Sequence, residues 1–339
     1  MAKRILIINT GGTLSSVAKE HGLSPGITTA EMAEELHIVS GDTLLRTEEF
    51  SSLDSANIFP EDWSALAERI AEVRGACDGV VILHGTDTLA YTASMLSFML
   101  QGIRIPVVVT GSQLSITETV ADAMENCRCA IHMAASGCGG VFVAFNRKVM
   151  LGCRASKVRT VSFDAFDSIN YPNVAQISSL GMRIRREALP GRKDIFRART
   201  QYSDNVFLLK LWPGFDPSLL PAIADRGYRA IYIEAFGLGG MPYLGRDMIS
   251  QLQELTERGI TVLVGTQCRY EGSNLSVYET GRRALEAGVL QAYDMTSEAA
   301  LTKLMWVLGQ TDDPAEIREY FSLNLCGEVT IGEWENKEA

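Results

Sequence analysis

Histidine is scarce in this chain, cysteine spacing is irregular, and no apolar run is long, so several chemistries are left without residues to perform them. The four histidines, at 21, 37, 84 and 132, have no ligand spacing and H-E-x-x-H is missing, so no metal and no metal-borne catalysis is expected. Cys127-Arg128-Cys129 falls one residue short of C-x-x-C, and seven cysteines without framework spacing read as reduced thiols. Neither G-x-x-x-x-G-K-[ST] nor G-x-S-x-G occurs, which removes phosphate-loop and serine-elbow chemistry. The longest apolar stretches, such as 79–83 and 95–100, are far shorter than the roughly 20 residues of a membrane span. The run after Lys3-Arg4 is too short for a signal-peptide core, so cytoplasm is the expected compartment and no membrane is expected as partner. Basic residues are outnumbered 31 to 41, giving a net charge of −10 with no Lys/Arg stripe, so nucleic acid is a poor candidate partner too.

What is there suits a folded α/β protein. Hydrophobic residues make up 46% and charged residues 21%, enough to bury a core, and 339 residues exceed the roughly 250–300 at which single cores stop growing. Two domains are expected. The runs 5–8, 79–83, 105–109, 141–145, 206–211, 230–233 and 260–264 are rich in β-branched residues and almost unbroken, as in strands buried on both faces of a parallel sheet. Amphipathic stretches alternate with them, from Pro60-Glu61-Asp62-Trp63 onward and near 86–100, 119–135, 247–257, 298–308 and 314–321. Between 181 and 205 the apolar rhythm fails among six arginines, which reads as a solvated connection rather than an anion site. The expected division is therefore 1–190, a linker at 191–205, and 206–339.

Two Gly-Thr turns follow predicted strands: Asn9-Thr10-Gly11-Gly12-Thr13 and His84-Gly85-Thr86-Asp87-Thr88. Ligands of open α/β sheets bind at the carboxyl ends of strands, so both turns are expected to face one crevice, with hydroxyls and an acid in it. A hydroxyl nucleophile needs a separate activating group, and two such turns supply both. Taken singly, Thr86 and Asp87 also suit N-caps of the following helix, and Gly11-Gly12 lacks the third glycine of a dinucleotide fingerprint. His84 at a strand end reads as a hydrogen-bonded structural residue. Lys157 is a base if buried and an ordinary surface lysine if not. Asp54-Ser55 offers an acid and a hydroxyl for an ammonium and a carboxylate, or simply a turn.

Together these segments resemble the bacterial-type asparaginase family, and within it the cytoplasmic type I enzymes. The resemblance runs nearly end to end, through Thr10-Gly11-Gly12-Thr13, Leu53-Asp54-Ser55, the string from Ile82 to Ala93, Val109-Thr110-Gly111-Ser112-Gln113, Lys157, the segment Phe163 to Ser168, Thr266-Gln267-Cys268 and Asp294-Met295-Thr296. It implies an α/β fold, with a larger N-terminal domain of mixed, mainly parallel sheet flanked by helices and a smaller C-terminal α/β domain. It implies hydrolysis of L-asparagine without a cofactor, in homodimers or homotetramers. Thr13 is then the nucleophile that forms an acyl-enzyme, with Thr86, Asp87 and Lys157 as the assisting triad. Asp54 and Ser55, with Thr86 and Asp87, would hold the substrate.

Two departures from the family pattern stand out. Members usually carry a tyrosine about ten residues after the nucleophile; here the stretch reads Ala18-Lys19-Glu20-His21-Gly22-Leu23-Ser24-Pro25, and Leu23 has no proton to relay. Tyr278 in the second domain is the expected replacement and His21 the alternative. Some members also bind asparagine at a regulatory site through an arginine, where this chain has Glu234. Hyperbolic kinetics are therefore expected. The rival readings are a low-turnover asparagine-binding protein, and a glutaminase or an ammonia-releasing subunit of a transfer-RNA amidotransferase. Such subunits carry an extra N-terminal β-domain in the resemblance, whereas Met1 here starts directly on the first core strand.

Overall fold

The computed structural model describes residues 2–12, 16–19, 22–25, 43–116, 118–191 and 195–330. Its contacts divide the chain into two compact units, Met1–Thr200 and Gln201–Ala339.

In the first unit β1 (Arg4–Gly11), β2 (Ser16–Lys19), β3 (Gly22–Pro25) and β4 (Leu44–Leu53) are followed by α1 (Pro60–Val73), β5 (Gly79–Leu83), α2 (Leu89–Met99), β6 (Pro106–Thr110) and α3 (Ala123–Ala134). Then come β7 (Gly140–Phe145), β8 (Lys148–Leu151), β9 (Ala155–Lys157), β10 (Phe166–Ser168), β11 (Ala175–Ser178) and β12 (Gly181–Ile184). The main sheet runs β12-β11-β8-β7-β6-β5-β1-β4. From β4 to β7 its neighbours are parallel, and from β7 to β12 antiparallel, so the sheet is mixed and mainly parallel. β2 pairs with β3, and β9 with β10, as separate antiparallel hairpins.

The central strands are buried on both faces, as their unbroken Val/Ile runs require: every residue of β5 and β6 is buried. α1 begins as its sequence dictates, with Pro60 in the first turn and the Phe59 N–H donating to Asp62 Oδ2 at 2.9 Å. It buries Trp63, Leu66, Ala67 and Ile70. α2 is buried almost all round, which small Ala, Ser and Thr side chains permit; Ser97 Oγ, for example, donates to Ala93 O within the helix at 2.7 Å.

The second unit is a parallel sheet in the order β13-β14-β15-β16, formed by β13 (Val206–Lys210), β14 (Ala230–Ala235), β15 (Thr261–Thr266) and β16 (Leu290–Gln291). Its helices are α4 (Leu219–Asp225), α5 (Met248–Glu257), α6 (Glu279–Glu286), α7 (Ser297–Leu308) and α8 (Pro314–Ser322). α7 opens on Thr296, whose side chain accepts the Ala299 N–H at 3.0 Å.

Two sequence expectations need correction. β13 is an edge strand and only Leu209 within it is buried, because β14 covers a single side. The arginine-rich stretch from 181 is not all connection: Gly181–Ile184 is an edge strand that alternates exposed and half-buried residues, with Arg183 opposite Gln176. Charged residues are a usual safeguard on such edges.

Candidate active site

At the carboxyl ends of β1 and β5, Gly12 of the first Gly-Thr turn approaches Gly85 of the second. Gly11 and Gly12 have φ of +104° and +92°, and a Cβ on Gly12 would lie 2.5 Å from the Cα of Gly85. Glycine is needed there for close backbone approach as much as for the dihedral. A Cβ on Gly85 would in turn lie 2.6 Å from Ser55 Oγ, and one on Gly11 2.3 Å from Leu53 O. Thr88 Oγ1 donates to Ser55 O at 2.7 Å. The segment after β4 and the turn after β5 are thus held against each other.

Asp54 accepts the Ala56 N–H at 3.0 Å, so it closes the short turn Ser55–Asn57, and Ser55 is buried behind it. The turn-forming reading of Asp54 holds for that oxygen. For Thr86 and Asp87 the capping reading fails: the N-cap of α2 is Thr88, with no side-chain cap bond. Their side chains instead meet Lys157 from the end of β9, whose Nζ donates to Thr86 Oγ1 at 2.8 Å and to Asp87 Oδ1 at 2.6 Å. The Lys157 side chain is 18% exposed and that of Asp87 68%, so the cation is sheltered and the acid faces solvent. Lys157 is thus half-buried and ion-paired rather than an isolated solvated lysine.

Gln113 belongs to the same cluster, and sequence reasoning quoted it without giving it a role. Its Nε2 donates to Thr160 O at 3.0 Å and Ser162 O at 3.1 Å, which turns Oε1 toward the Thr86 hydroxyl at 3.4 Å. The G-S-Q spacing after β6 was the available signal. Below this, Asp164 and Asp167 grip Lys148 Nζ at 2.6 and 3.1 Å, fixing the loop that returns from Lys157. The hydrogen bond from Lys148 holds the Asp164 carboxyl below its ordinary value.

His84 is fully buried and lies beneath the turn, with Nδ1 2.7 Å from Gly85 O and Nε2 2.8 Å from Thr92 Oγ1. Burial pushes its pKa down to about 4, so the ring is neutral near pH 7. Burial pushes the thiols of Cys127 and Cys129 up to about 12 and about 11, which leaves them poor nucleophiles. Among the described residues no cluster of His, Cys, Asp and Glu could hold a metal, and no helix is long and apolar enough to cross a membrane.

Thr13 and His21 lie outside the described residues, and Leu23 is described by its backbone in β3. Tyr278 belongs to the second unit, at the N-cap of α6, with its side chain exposed. Glu234, at the end of β14, takes a hydrogen bond from Ser297 Oγ and lies 3.9 Å from Lys210 Nζ.

Residues 4–190 match the family model described as Asparaginase, N-terminal, and residues 205–321 that described as Glutaminase/Asparaginase C-terminal domain. The chain is 43% identical over 329 residues to an L-asparaginase of Thermococcus kodakarensis, covering 96% of this chain and 99% of that one. A solved structure of the thermostable L-asparaginase from Thermococcus kodakarensis matches with a TM-score of 0.91 at 42% identity, over 96% of this chain and 99% of that one. The chain is also 36% identical to a component of the glutamyl-tRNA(Gln) amidotransferase of Pyrococcus horikoshii, over 96% of this chain but 76% of the relative.

Proposed function

Because the chain belongs to the asparaginase family, we propose that it is an amidohydrolase that converts L-asparagine and water to L-aspartate and ammonia. The observation that carries the reading to a site is the contact of Lys157 with both Thr86 and Asp87 just beyond the carboxyl end of the parallel strand β5.

In this reading the Thr13 hydroxyl attacks the side-chain amide carbon. The amide nitrogen takes a proton and leaves as ammonia, giving an aspartyl ester. Water then enters at the same carbon, and Thr13 regains its proton as aspartate departs. Thr86 passes protons between the reacting centre and Lys157, and Asp87 keeps Lys157 aimed at the Thr86 oxygen. Asp54 and Asp87 take the substrate ammonium, while Ser55 and Thr86 present donors to its carboxylate. Backbone N–H groups of the two turns face the oxyanion. No cofactor has a part in these steps.

Tyr278 stands in for the tyrosine replaced by Leu23, with His21 as the alternative. The catalytic turns are assigned to residues 1–190 and the supporting domain to 206–339, joined by 191–205. The working form is a homodimer or homotetramer in the cytoplasm.

The amidotransferase likeness supports a second reading, release of ammonia from glutamine. One methylene is worth only about 1–3 kcal/mol of discrimination, so the two substrates must be compared directly. Ammonia release from asparagine and glutamine, side by side and with Thr13→Ala as control, tests both. Release that favours asparagine and vanishes in the variant is expected. Thermal stabilisation by asparagine without release would leave a binding protein.

A further inference from the structure

A directional hydrogen-bond chain runs from α1 through α2 to the turn that carries Thr86. Gly85 O can accept and not donate, so the proton at that 2.7 Å contact sits on His84 Nδ1. The neutral ring then presents Nε2 as an acceptor, and Thr92 Oγ1 donates to it at 2.8 Å. Trp63 Nε1 can donate and not accept, and it donates to the same Thr92 oxygen at 2.8 Å. With the buried ring neutral, a single assignment satisfies Trp63, Thr92, His84 and Gly85 together.

The chain ends on the carbonyl of the peptide that joins Gly85 to Thr86. That peptide is planar, so holding its oxygen fixes the direction of the Thr86 N–H as well. The same backbone is pressed by Gly12 on one side and by Ser55 on the other. Beyond it, Thr86 Oγ1 lies 2.8 Å from Lys157 Nζ. An apolar residue at 84 would fill the space without a desolvation cost, but it would leave that carbonyl unheld.

We propose that His84, kept as its neutral Nδ1–H tautomer by Thr92 and Trp63, is a positioning residue that orients the Gly85–Thr86 peptide and so aims the Thr86 hydroxyl at Lys157. The role rests on the asparaginase reading of the site. It adds to that reading a residue that touches no substrate.

Two measurements test it. In the wild-type protein with ¹⁵N-labelled histidine, NMR at neutral pH reports each ring nitrogen. His84 is expected to be protonated at Nδ1 and bare at Nε2; an Nε2–H or doubly protonated ring overturns the proposal. The second is kinetic. His84→Asn sets an amide nitrogen near the place of Nδ1 and keeps the donor to Gly85, whereas His84→Gln sets it near Nε2 and loses that donor. For ammonia release from L-asparagine, His84→Gln is expected to lower kcat about 10–100-fold at little-changed KM, with His84→Asn recovering most of it. Equal activity in the two variants, with unfolding temperatures matched, overturns the proposal. A wild-type protein that hydrolyses neither asparagine nor glutamine refutes the proposed function, and the NMR result stands apart from that.

Discussion

Thr86 and Lys157 are 71 positions apart in sequence, yet their polar atoms are 2.8 Å apart. Sequence exposed the first half of this pair, because a threonine and an acid directly after a strand are noticeable wherever they occur. The second half was legible through family likeness alone: nothing local to Arg154-Ala155-Ser156-Lys157 tells a sheltered lysine from a solvated one. Gln113 was hidden for the same reason, since its partners Thr86, Thr160 and Ser162 are brought together by the fold. Glu234 makes a separate prediction at this scale. The family resemblance suggests a regulatory arginine at this position in some members, whereas this chain has Glu234, engaged by Ser297 and Lys210. Like charges repel, so Glu234 is expected to disfavour a bound asparagine carboxylate there. The dependence of rate on asparagine is expected to be hyperbolic, with a Hill coefficient of about one. A clearly sigmoidal curve contradicts this.

At the scale of elements, the buried strands and the long amphipathic helices were the most legible. Their apolar residues recur with the period of the element, as in Trp63, Leu66 and Ile70 of α1. The short elements were missed. α4 spans seven residues and α6 buries small Thr280, Gly281 and Ala284, so neither shows an apolar stripe. A further element-level feature is the anchoring of the segment after α8. Lys303 on α7 and Glu328 are both fully buried and 2.6 Å apart, and Glu328 also accepts the N–H groups of Leu325 and Cys326. Burial alone would raise the Glu328 pKa, but Lys303 and those donors outweigh it and hold the carboxyl below its ordinary value. The pair's stabilisation is therefore complete above the ordinary carboxylate range and is lost as pH falls through the lower folded-state value. In Lys303→Met the carboxylate is buried without its cation, a loss of about 3–5 kcal/mol at neutral pH. Without Lys303 burial dominates and favours the protonated acid. The stability gap between the two proteins, measured by denaturant unfolding, should narrow from pH 7 toward pH 4; a constant gap contradicts the assignment.

At the scale of the molecule, composition and rhythm conveyed an α/β protein of two domains, and both units contain parallel sheet. Sequence conveyed less about sheet edges. β11 and β12 extend the first sheet with short, partly exposed strands whose polar residues look like a connection. Assembly belongs to this scale as well. The proposed homodimer or homotetramer predicts a sedimentation mass of two or four times 37.0 kDa, and a stable single-chain species at micromolar concentration contradicts it. The central claim is that Thr86, Asp87 and Lys157 act together on an amide. Its most direct test is steady-state ammonia release from L-asparagine by the wild-type protein and by Lys157→Met, with folding checked by thermal unfolding. The wild type should release ammonia, and the variant should lose at least about 100-fold in kcat. A folded Lys157→Met variant that keeps activity within a few-fold of wild type would contradict the assignment of the site.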